Sequence, residues 1–171
     1  MRYFVTLFLA FSFMASISQA RPLTPEEETS LGIVTAQFMD DMKQENATGI
    51  ITILPERIVN HLSLQAEVSP EYLLQMLSEQ IENLFANTSF VSIHIDIAGL
   101  DVTDGKNSDG DMAVYAIIPF SYSFLHSDKI NKSTSRLIAI KERAKWGLIR
   151  VAPNQAGLLI ELYPFLKGEP L

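Results

Sequence analysis

The chain contains no cysteine. Disulfides, thiolate nucleophiles, iron–sulfur clusters and the usual zinc knuckles are therefore excluded. Histidine is scarce: His61, His94 and His126 fall on three separate stretches, and no pair has the spacing of a zinc-binding helix. No metal site is expected. Basic residues are few, with 13 Lys and Arg against 20 Asp and Glu and a net charge of −7. Phosphate contacts need clustered Lys and Arg, so nucleic acid is not an expected partner. Neither a G-x-G-x-x-G nor a G-x-x-x-x-G-K-[ST] phosphate loop occurs, and no G-x-S-x-G elbow presents a serine nucleophile. No cofactor is expected.

What is present is ample apolar material. Of 171 residues, 47% are hydrophobic and 19% charged, which suits one domain with its own core. Met1-Arg2 precedes an apolar stretch that runs to Ile17, and Ser18-Gln19-Ala20 follows with small side chains at the two positions read by signal peptidase. Thr6, Ser12 and Ser16 interrupt the stretch, which is shorter than the roughly 20 apolar residues of a membrane span. Residues 1–20 read as a signal peptide and 21–171 as a single domain, with Arg21 to Leu23 as a free tail and no stable membrane span after cleavage. An exported small domain without cysteine fits a bacterial periplasm or exterior better than a eukaryotic secretory route. Three Asn-x-Ser/Thr sequons (Asn46, Asn87 and Asn131) point weakly the other way, and so short a pattern arises by chance.

Charge divides the chain. Residues 22–111 carry 16 acidic and 3 basic side chains, whereas residues 112–171 carry 8 basic and 4 acidic ones. The acidic part reads as helices. Thr24-Pro25-Glu26-Glu27 is a capping box, and Leu31, Val34, Phe38 and Met42 follow at helical spacing towards a stop at Thr48-Gly49. Pro55 opens a short helix through Ile58, Val59 and Leu62. Ser69-Pro70-Glu71 caps a third, striped by Leu73, Leu77, Ile81 and Leu84 and ending near Asn87.

Beyond Asn87 the period becomes two. Val91, Ile93, Ile95 and Ile97 alternate with Ser92, His94 and Asp96, as on a half-buried strand. Asp101 to Asp111 reads as a loop with turn signals at Asp104-Gly105 and Asp109-Gly110. A strand from Met112 to Leu125 follows, its register ambiguous at Ile117-Ile118, and Pro119 favours an edge or a bulge. His126 to Lys132 reads as a polar turn, Ser135–Lys145 and Trp146–Val151 as strands, and Gln155–Leu166 as a terminal helix. The fold class is α+β: three N-terminal helices on one side of a curved antiparallel four-stranded sheet, plus a C-terminal helix.

This order of elements, closing on the basic strand and Trp-initiated hairpin of Arg143-Ala144-Lys145-Trp146-Gly147-Leu148-Ile149, resembles the NTF2-like (cystatin-like α+β roll) superfamily. The resemblance covers most of residues 21–171 and lies in element order, with no diagnostic motif. It implies a cavity on the concave face of the sheet and a homodimer paired through the sheets. The early strand pair common in that family has only residues 50–54 to form it here.

Three constellations carry chemistry. Asn107, Asp109 and Asp111 alternate as calcium ligands do, but Gly105 stands where an acid is needed and Ala116 where a glutamate is needed, so the loop reads as a solvated hairpin. Lys141, Arg143 and Lys145 alternate onto one strand face, with Lys129, Lys132 and Arg136 nearby, which reads as a solvated face that discourages edge pairing. His94 and Asp96 share a strand face and are the catalytic candidates, able to act as base and orienter only if that face lines a cavity. Trp146, Tyr115 and Arg136 are the ligand-binding candidates.

Two functions follow as expectations. One is a non-catalytic binding or protein-interaction module, exported to the bacterial envelope, that holds an apolar small molecule in the sheet concavity or docks an envelope protein. The other is a small-molecule isomerase, dehydratase or hydrolase of the NTF2-like kind, using His94 and Asp96.

Overall fold

The computed structural model describes residues 20–126, 129–150 and 155–169; residues 1–19 of the expected signal peptide lie outside the described residues. The expected free tail is instead ordered. Ala20–Pro22 forms β1 and pairs antiparallel with β3 (Asp101–Lys106), placing Arg21 opposite Val102.

Helix α1 (Pro25–Lys43) opens with the capping box read from sequence. Thr24 Oγ1 accepts from the Glu27 amide, and Glu27 Oε2 accepts from the Thr24 amide at 3.1 Å. Leu31 and Phe38 are buried, with Val34 and Met42 packed beside them. The helix stops earlier than Thr48-Gly49. Glu45 takes a positive φ of 55°, and Asn46 caps a separate α2 (Ala47–Thr52) by accepting from the Gly49 amide. Gly49 therefore lies inside a helix, where a Cβ would collide with the buried Asp41 carboxylate. That carboxylate accepts hydrogen bonds from Asn46 and Gln37 and locks the bend. Residues 50–54 are helical and turn rather than an early strand. Helices α3 (Glu56–Gln65) and α4 (Pro70–Phe85) follow as expected, α4 capped by Ser69.

The sheet is antiparallel with six strands, not four, in the order β1-β3-β4-β5-β6, and β2 joins the side of β4. Strand β4 (Met112–His126) is its axis. From Ala113 to His126 it pairs with β5 (Lys129–Glu142). On the other side it pairs first with β3 and then with β2 (Ser89–Ile95). Those two leave residues 116–119 unpaired on that side, and Pro119, which has no N–H to donate, sits in the gap. The proline is thus tolerated in a central strand. The adjacent isoleucines have a similar explanation: Ile118 belongs to one core and Ile117 packs on the other, because both faces are covered.

Helices are not confined to one side. The α1 face carries Leu31, Phe38, Ile118, Phe120, Leu137, Trp146 and Leu148 in one core. The opposite face carries Tyr115, Ile138 and Ile140 beneath α5 (Ala156–Leu162) and the 3₁₀ turn Pro164–Leu166, which seal it with Leu159, Leu162, Tyr163 and Leu166. The expected loop turn at Asp104-Gly105 is strand, because Gly105 lies under the Phe165 ring where a Cβ would not fit.

Strand β5 begins at Lys129, shortening the expected polar turn, and ends at Glu142. Arg143 and Ala144, both at positive φ, make the two-residue turn into β6 (Lys145–Arg150). Such turns match the twist of paired strands. The basic alternation is therefore broken. Lys141 faces the α1 side, 3.6 Å from Glu27 and 5.8 Å from the Trp146 ring centroid, whereas Lys145 pairs with Glu142 on the opposite face.

Candidate functional site

The apolar side of α4 is incompletely covered. Of its stripe, Leu73 is buried, Leu77 and Ile81 are half-buried, and Leu84 is exposed. Between this helix, α1, α2 and the sheet lies a cavity of about 460 Å³. Phe38 and Met42 of α1, Ile50 and Ile51 of α2, and Leu77, Ile81 and Phe85 of α4 line its helical side. Ligand sites of roughly 300–1,000 Å³ with mainly apolar walls are the usual form of small-molecule pockets.

The sheet supplies an aromatic floor. Phe120, Tyr122 and Phe124 alternate along β4 onto the cavity face, with Phe120 and Tyr122 stacked at 4.9 Å and Tyr122 and Phe124 tilted at 5.9 Å. Phe90 of β2 completes it, 5.7 Å from Tyr122 and 6.0 Å from Phe85. Opposite these aromatics, β5 presents small polar residues: Ser135 pairs with Phe120, Ser133 with Tyr122 and Asn131 with Phe124.

Phe90 reaches the floor through a β-bulge. The β2–β4 register shifts between Phe90 and Ser92, which leaves Val91 55% exposed and turns Phe90 inward. The expected apolar row of Val91, Ile93, Ile95 and Ile97 therefore loses its first member. Phe120, Tyr122 and Phe124 did carry a period-two signal, but the doublet Ile117-Ile118 obscured its face.

A second, polar cavity of about 530 Å³ lies among α3, the Asn107–Asp111 turn and the β5–β6 hairpin. Arg57 is its centre. Nε donates to Glu142 Oε1 at 2.9 Å and Nη1 to Asp109 Oδ2 at 2.6 Å, while Asp111 lies 3.8 Å from Nη2. Burial works against the guanidinium charge, and the hydrogen bonds to Asp109 and Glu142 more than offset it, so its pKa is raised. Glu142 also accepts from Asn107 at 2.9 Å and from the Tyr163 hydroxyl at 3.1 Å. Burial first, then the Glu142 charge, pushes the Tyr163 phenol far above its ordinary value. Asn107 Oδ1 accepts from the amides of Asp109 and Asp111, which builds the turn. The acidic loop thus turns its carboxylates to Arg57. Among the described residues no group of three His, Asp or Glu side chains is placed to hold a metal ion. His61 borders this cavity with a buried Nε2 that has no hydrogen-bond partner.

The candidates read from sequence are dispersed. His94 is exposed opposite Ser121, and Asp96, just beyond β2, accepts from the Ala98 amide at 2.9 Å; neither lines either of these two cavities. Trp146 is 2% exposed, donates from Nε1 to Ser30 Oγ at 3.0 Å, and backs one wall of the polar cavity. Tyr115 is buried against Phe165, and its hydroxyl donates to Glu169 at 2.7 Å. Burial pushes that phenol up to about 12. Arg136 is exposed on the α5 side of the sheet, opposite Pro119.

No family model matches this chain, and neither a curated protein nor a solved structure matches it. No helix among the described residues is long and apolar enough to cross a membrane.

Proposed function

We propose that this chain is a non-catalytic binding module, exported to the bacterial envelope, with an NTF2-like arrangement that holds an apolar small molecule between α1, α2, α4 and the sheet. The observation that carries the reading is the 460 Å³ cavity, floored by Phe90, Phe120, Tyr122 and Phe124 and walled by the under-packed stripe of α4. Apolar walls left open to water in a groove of this size are unfavourable, and an apolar ligand covers them. Export rests on residues 1–20. The catalytic alternative required ionisable groups converging in an apolar cavity, and His94 and Asp96 are not among its lining residues.

The test is ligand retention. Native mass spectrometry of protein purified from the envelope fraction should show a bound apolar molecule. The stripped protein should enhance the fluorescence of N-phenylnaphthylamine with one-to-one saturation. Ile81→Trp, which fills the cavity from α4, should abolish the enhancement while circular dichroism stays unchanged. A stripped wild-type protein that gives no enhancement, and retains no molecule when isolated, overturns the reading.

A further inference from the structure

The cavity has one charged residue in its lining among the described residues, Arg150 at the end of β6. Arg150 is paired in register with Leu137, on the same sheet face as Trp146 and Leu148, so its side chain leaves the backbone on the cavity side. Its Nε donates to Ser135 Oγ at 3.2 Å, which holds the guanidinium along the β5 side of the aromatic floor. No carboxylate pairs with it among the described residues, in contrast to Arg21 and Arg57, each of which is held by at least two acids. The other lining residues with polar groups, Thr88, Tyr122 and Gln155, are uncharged. A lone arginine at the rim of an apolar cavity keeps its outer N–H groups available for a planar anion, which a guanidinium grips in fork geometry.

We propose that the ligand is a single-chain amphipath with a carboxylate head, a fatty acid, whose chain lies over Phe120 and Tyr122 and whose head is paired by Arg150. This rests on the binding function proposed above and names the ligand class of that cavity. Ser135 acts as a positioning residue for the guanidinium.

Calorimetric titration of the stripped full chain with dodecanoate, dodecanol and dodecyl phosphate tests it. Dodecanoate should bind about tenfold more tightly than dodecanol, the worth of one partly solvated charge-assisted pair. Arg150→Gln should remove that preference while leaving dodecanol affinity unchanged, and Arg150→Lys should keep part of it. Because Arg150 is exposed, the variants should keep the wild-type melting temperature, and dodecanol binding serves as an internal check on the cavity. Equal binding of dodecanoate and dodecanol by the wild type overturns the carboxylate inference and leaves the apolar binding function standing. So does a preference that survives Arg150→Gln, or one for dodecyl phosphate over dodecanoate. Binding of none of the three overturns both.

Discussion

Arg57 on α3 and Glu142 at the end of β5, 85 positions apart, are joined by a hydrogen bond of 2.9 Å from Nε to Oε1. Around that pair Asn107 and Tyr163 converge on the same carboxylate, so one side chain ties a helix, a turn, a strand and the C-terminal segment together. The two side chains are only 17% and 19% exposed. A pair so sheltered is weak evidence of stability by itself, yet removing one partner strands the others.

Glu142→Ala should therefore destabilise the fold by about 3 kcal/mol, because it leaves Arg57, Asn107 and Tyr163 without their shared acceptor. Asp109→Ala removes a partner that is 68% exposed and should cost no more than about 1 kcal/mol. Urea denaturation of the two variants checks the contrast, and equal losses would assign the stability to the surface pair.

Stability should fall in acid through Glu27. Its carboxyl is held at about 2, first by the Arg21 hydrogen bonds at 2.7 and 3.0 Å and then by the Thr24 amide, against burial. A depressed carboxyl contributes stability that is complete above its unfolded value near 4.5 and is lost as pH falls towards 2. The loss should be about 2 kcal/mol, allowing for the solvent access of Arg21. Glu27→Gln should be less stable at neutral pH and should flatten the slope across that window in pH-dependent urea unfolding.

The phenols act at the other end of the scale. Burial raises Tyr115 to about 12 and places Tyr163 higher still. Each neutral phenol contributes stability that is complete below its unfolded value near 10 and is lost as pH rises through the folded one. Ultraviolet titration should show two phenols ionising above the ordinary phenol range. Tyr163→Phe should remove one of these raised phenols and cost about 1 kcal/mol through the lost hydrogen bond to Glu142.

The bulge in β2 makes neighbouring substitutions diverge. Phe90→Ala opens the aromatic floor and should cost about 3 kcal/mol and weaken probe binding. Val91→Ala, at a side chain 55% exposed, should change stability by no more than about 0.5 kcal/mol. Simple alternation along the strand assigns the larger loss to Val91, so thermal melts of the two proteins separate the two registers.

Much of the framework was legible in the chain. The capping box at Thr24, the Ser69 cap, the Leu31–Phe38 stripe and the long strands each follow from residues a few positions apart, whose spacing and hydrogen-bonding groups decide local geometry on their own. What was misread is non-local. Arg21 looked like the end of a tail until Asp104 supplied its partner, and Gly105 looked like a turn until Phe165 covered it. Val91 belonged to the apolar row until the pairing with β4 inserted a bulge. His94 and Asp96 carry acid–base chemistry in their side chains, whereas a site also needs an enclosing surface. The sequence by itself determined the long helices α1, α3 and α4, the long strands and the acidic and basic division of the chain, while the short β1, β3 and α2 took form only against their tertiary partners. Only the tertiary structure decided which faces meet, and a cavity is the volume left unfilled where they do. That volume depends on the sizes of Ile50, Ile81, Phe90 and Tyr122 together, side chains whose mutual distances no spacing in the chain encodes.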